Sequence, residues 1–184
     1  MRFKWIVFFI IFLSSNVYSC ENDKITAFVN ARHEHAVQVL KSDHMYSGSS
    51  IFFHYSSEGD EHPDVKASFS LNRCKPQNSI TFDSFSYNGN IANIESVFWG
   101  KDPYKQNLFI IVSWVYNLDG IKTIGKYYEV IAYDYNENSI IKNDEISGIF
   151  EGGQEGIVNG KHIKYKFKTA GDVWSYLDKQ AKVK

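Results

Sequence analysis

Proline occurs only three times in 184 residues, and neither a low-complexity tract nor a convincing internal repeat interrupts the chain. Both absences argue against a disordered linker or a solenoid. After the first twenty residues no window comes near eighteen consecutive apolar residues, so no later segment reads as a membrane-spanning helix. Positive charge is not in excess either. From residue 20 onward 18 Lys and Arg stand against 21 Asp and Glu, a net charge of −3, whereas nucleic-acid-binding domains are normally clearly basic. The motifs of nucleophilic and phosphate chemistry are missing as well. Ser49 in "YSGSS" has the wrong spacing for a nucleophile elbow, and Glu151 to Gly156, "EGGQEG", lacks the Lys and Ser/Thr of a phosphate loop. The sequence therefore indicates no catalytic residue, no metal and no cofactor.

What is present begins with MRFKWIVFFIIFLSSNVYSC. Arg2 and Lys4 form a basic region, Trp5 to Leu13 an apolar core, and a short polar segment follows, which is the pattern of a secretory signal peptide. Nine apolar residues span about 14 Å as a helix against roughly 30 Å of bilayer hydrocarbon, too short for a stable anchor. Residues 1–19 are expected to be removed on export, leaving residues 20–184 as a single domain. Val17 and Ser19 suit ordinary cleavage before Cys20. The same stretch resembles a bacterial lipobox in part, but Tyr18 is bulky where a small residue is usual. Cys20 and Cys74 are the two cysteines of the chain. In an oxidising compartment they are expected to form a disulfide, with lipidation of Cys20 as the alternative. The expected location is periplasmic or secreted, or the outer membrane if Cys20 is lipidated.

From Ile51 onward, segments rich in β-branched and aromatic residues, such as "SIFFHY", "VKASFSL" and "KYYEVIAYDY", alternate with turn clusters. "LFIIVSWV" is apolar at nearly every position and predicts a central strand covered on both faces. Ile80, Phe82 and Phe85 need a bulge to share a face. "IKYKF" predicts a strand with Ile163, Tyr165 and Phe167 on one side and Lys164, Lys166 and Lys168 on the other. Thr169 and Asp172 have capping-box spacing at the head of a helix whose apolar stripe runs through Val173 and Leu177. Asp23 to Leu40 reads as a helix, although "HAVQVL" also alternates like a strand. The expected fold is mainly β (α+β): one antiparallel, curved or sandwich-like sheet with an N-terminal and a C-terminal helix packed on it.

Five histidines fall between His33 and His62. A helix through His33 and His35 would point them apart, against a shared zinc. Asp134 to Glu145 resembles an EF-hand calcium loop in part, but Ser139 replaces the turn glycine and a strand precedes it. Four acids, Glu58, Asp60, Glu61 and Asp64, crowd one loop and are the expected contact with a basic protein partner. Residues 161–184 hold seven Lys and two Asp, and residues 20–160 eleven basic against nineteen acidic residues, so an acidic body carries a basic tail. Lys164, Lys166 and Lys168 form a second candidate surface. These features lead to the expectation of a non-enzymatic, exported binding protein of the bacterial envelope that inhibits or neutralises a protein partner, such as an immunity protein or hydrolase inhibitor. The alternative is an accessory envelope protein or lipoprotein contacting anionic lipid or polysaccharide. A metal- or carboxylate-dependent hydrolase ranks third.

Overall fold

The computed structural model describes residues 23–56, 61–136 and 139–182. It is mainly β, with two antiparallel sheets and a helix near each end. The four-stranded sheet is formed, in spatial order, by β1 (Glu34–Lys41), β2 (Ser50–Ser56), β3 (Val65–Ser70) and β4 (Ile80–Phe85). The larger sheet comprises β5 (Asn93–Trp99), β6 (Asn107–Leu118), β7 (Thr123–Asn136), β8 (Ser139–Lys142), β9 (Gly153–Val158) and β10 (Lys161–Ile163). Its spatial order is β10-β9-β7-β6-β5, with β8 sharing the edge of β7 used by β9. Among the described residues three α-helices complete the fold: α1 (Asp23–Asn30), α2 (Asp144–Gly148) and α3 (Ala170–Ala181).

Side-chain alternation sorts these strands into layers. Ile51, Phe53, Val65, Ala67, Phe69 and Phe85 of the smaller sheet pack against Leu108, Ile110, Val112, Trp114, Ile131 and Tyr133 of the larger one. Phe52 points the other way and is covered by Ile25 and Val29 of α1. On the far side of the larger sheet, Phe109, Ile111, Tyr128 and Val130 meet Phe150, Phe167, Val173 and Leu177. The result is a sandwich with a helix outside each sheet, and β6 is buried on both faces as its unbroken apolar run requires.

The long helix expected over Asp23 to Leu40 stops at Asn30. His33 takes a left-handed φ of 57°, the chain turns, and Glu34–Lys41 becomes an edge strand. A bulge between Ala36 and Gln38 explains the misreading. It sets Ala36 and Val39 on the α1 side at a spacing of three, which imitates helical periodicity. The expected bulge in β4 is also present, opposite Ala67 and Ser68. It brings Phe82 and Phe85 to the core, while Ile80 stays exposed. The strand expected through Lys168 ends at Ile163. Tyr165 and Phe167 are still buried, but on irregular chain held by a bond from the Tyr165 amide to Glu155 Oε2 at 2.8 Å.

α3 begins as its sequence indicates. The Thr169 hydroxyl accepts from the Asp172 amide, and the Asp172 carboxylate accepts from the Thr169 amide. Trp174 then fixes the helix to the sheet by donating its indole N–H to the Trp99 carbonyl at 2.9 Å. No helix among the described residues is long and apolar enough to cross a membrane.

Candidate functional site

Beside the inter-sheet core the inner face of β6 and β7 floors a groove, with Trp114 largely buried where the two meet. Two adjoining depressions of about 360 and 250 Å³ share Asn88 and Trp114. The first adds Asp83, Glu129 and Lys142, and the second Tyr116, Tyr127 and Gln154. Strand periodicity brings these residues together: Trp114 and Tyr116 are two apart on β6, and Tyr127 faces Trp114 across the β6–β7 ladder. The Trp114 and Tyr127 rings are 6.3 Å apart.

The groove rim is the segment after β4, and it is firmly held. Trp114 donates its indole N–H to the Ser86 carbonyl at 2.9 Å. The Tyr87 amide donates to Asp64 Oδ1 at 3.0 Å, and the His62 ring stacks on Tyr87 at 4.3 Å with 7° between planes. His62 and Asp64, the described end of the acidic segment, are thus attached directly to the groove rim. Of its four expected contact residues, Glu61 is exposed, Asp64 is spent on anchoring the rim, and Glu58 and Asp60 lie outside the described residues.

From the inter-sheet core the fully buried Tyr133 donates its hydroxyl to Asp83 Oδ2 at 2.5 Å, and it is Asp83 that lines the first depression. Burial, and then the charge of Asp83, push that phenol well above its ordinary value. Tyr127 is also pushed up, first by burial and then by the Glu129 charge. Both phenols therefore stay neutral donors beside carboxylates. Lys142, which also lines the first depression, pairs with Asp144 at 3.7 Å, so the lining combines aromatic side chains with acidic and amide groups, a surface suited to a cationic side chain.

A second constellation crosses the smaller sheet. His54 Nδ1 lies 2.9 Å from Glu34 Oε2, and His54 Nε2 lies 2.9 Å from Ser68 Oγ. Ser68 Oγ is in turn 3.0 Å from Thr81 Oγ1. One from each of β1 to β4, these residues reproduce the acid–base–hydroxyl order of a hydrolase triad. Ser68 is 2% exposed, however, and lines neither depression. The arrangement lacks the open position beside the hydroxyl that acyl transfer requires. Its evident effect is to tie four strands together through a chain of buried polar side chains. Sequence reasoning placed His54 only within the histidine cluster and missed Glu34, Ser68 and Thr81. The available signal was the outward parity that all four share once the strands are aligned.

The other candidate residues are dispersed. His33 sits in the turn after α1, His35 packs on Tyr55 at 5.2 Å, and His44 on Trp99 at 4.9 Å. Asp134 accepts from the Asn107 and Asn143 amides at 2.6 and 3.0 Å, so the calcium-loop segment is a β7–β8 hairpin followed by α2. No group of three or more metal-ligating side chains occurs among the described residues. Lys168 pairs with Glu155 at 2.9 Å, the Lys166 ammonium lies over the Phe167 and Tyr176 rings, and Lys164 is exposed. Cys74 is disulfide-bonded and lies on the connection whose turn at Pro76–Asn78 contacts α1. Cys20 lies outside the described residues, as does the N-terminal segment 1–19. Comparisons with protein families, curated proteins and solved structures find no match for this chain.

Proposed function

We propose that this chain is an exported, non-enzymatic binding protein of the bacterial envelope, and that its groove and the adjoining acidic loop receive a basic segment of a protein partner that it neutralises. The observation that carries this reading is the joining of two features distant in sequence. Asp64 and His62 hold the rim of a groove containing Asp83, Glu129, Trp114 and Tyr127. Export is supported by the basic and apolar pattern of the first nineteen residues. Charge favours a protein occupant over an envelope glycan, because the acidic excess of residues 20–160 would repel anionic polysaccharide and attract Lys or Arg.

A photo-crosslinking amino acid at Asn88, on the groove rim, tests the reading in cells exporting the protein. The expected result is a discrete protein adduct mapping to a Lys- or Arg-rich segment, reduced at least severalfold by Glu129→Gln. Absence of a protein adduct, together with tight groove binding by soluble cell-wall oligosaccharides in titration, would replace the protein partner with a glycan.

A further inference from the structure

The turn between β6 and β7 carries aliphatic side chains into solvent. Leu118 is 52% exposed, Ile121 57% and Ile124 47%, and Ile163 of neighbouring β10 is 41% exposed. Bonds donated by backbone amides hold these pieces together. The Gly160 amide donates to the Lys122 carbonyl at 3.1 Å, and the Asn159 amide to Thr123 Oγ1 at 3.0 Å. The side chains do not share one face. Leu118 continues the inner row of Trp114 and Tyr116, whereas Ile124 is one residue out of phase with its neighbour Thr123, which pairs with Leu118. A tip that is apolar on both faces cannot bury both against one flat protein surface. A fluid apolar phase would surround it.

The local charge points to the kind of phase. Residues 114–128 and 156–164 contain one acid, Asp119, against Lys122, Lys126, Lys161 and Lys164. Lys126 is engaged by Glu95 at 2.6 Å, but Lys122, Lys161 and Lys164 are exposed. We propose that the β6–β7 tip inserts into the surface of a bilayer containing anionic lipid, with Leu118, Ile121 and Ile124 at the acyl boundary and the three lysines against lipid phosphates. Shallow aliphatic burial and juxtaposed basic side chains act together in interfacial attachment of this kind. This surface differs from the lysine row read in the sequence, of which only Lys164 contributes.

Ile121→Trp provides a local probe, because the side chain is exposed and a fold check by circular dichroism accompanies it. Its fluorescence is read as the difference from the parent chain, which cancels the three tryptophans of residues 20–184. With vesicles of roughly one-third phosphatidylglycerol in phosphatidylcholine, the added tryptophan should shift to the blue and be quenched by brominated acyl chains. Pure phosphatidylcholine should give neither effect. The double change Lys122→Gln and Lys161→Gln should weaken binding to the anionic vesicles roughly thirtyfold. An unmoved spectrum in anionic vesicles overturns insertion, and equal response to both vesicle types overturns the role of the lysines.

Discussion

His54 shows how far a single side chain's surroundings determine its role. Its Nδ1 lies against Glu34 Oε2 and its Nε2 against the Ser68 hydroxyl, which in turn meets the Thr81 hydroxyl. Arg32, 3.5 Å from Glu34, supplies the countercharge. Burial holds the imidazole below its ordinary value, and the opposing pull of Glu34 does not overcome it. The unfolded imidazole takes up a proton near pH 6.5 and the folded one only at lower pH. Stability is therefore complete above about 6.5 and declines as pH falls below it. The melting temperature should be lower at about pH 5.5 than at about 7.5. A His54→Asn chain showing the same slope would remove His54 as the cause. None of this was legible in the sequence, where His54 was one of five clustered histidines. Its partners lie 14 and 20 residues away, and only strand alignment brings them together.

Elements were legible where local chemistry alone defines them. The capping box of α3 and the doubly buried β6 depend on residues adjacent in sequence, and both appear as expected. β1 was obscured because its bulge imitates a helix, and the strand expected through Lys168 was lost because Tyr165 and Phe167 are held by a side-chain bond and core packing instead of a ladder. The crossing of β7 and β9 has a constraint of its own. A Cβ on Gly125 would overlap the Glu155 carbonyl oxygen and press on the Tyr116 hydroxyl. The first obstacle is backbone and cannot swing aside. Gly125→Ala should destabilise the protein by about 2 kcal/mol, read by urea unfolding. Unchanged stability would mean that β9 can separate from β7 without loss.

For the whole molecule, the sandwich and its terminal helices follow from patterning, whereas the groove does not. Its rim and floor come from segments that meet only after the two sheets stack. Neither aromatic spacing nor acid content signals that Asp64 secures Tyr87. The proposed Cys20–Cys74 bridge also acts at this scale, since it would join the chain before α1 to the β3–β4 connection. Closing about 55 residues should contribute up to roughly 4 kcal/mol. The exported protein should have a mass two hydrogens below the reduced chain and should lose melting temperature on reduction. Acyl chains on Cys20 would dismiss the bridge.

The β6–β7 hairpin has a further consequence, in time. Its twelve paired positions from Asn107–Asp134 to Leu118–Thr123 close across only four intervening residues, so its first contacts require little loop ordering, unlike the later stacking of two sheets. Folding should start there. The smaller sheet, the groove rim and α3 would then assemble on a ribbon already in register, and the aliphatic tip would be among the first parts of the chain to reach its final shape.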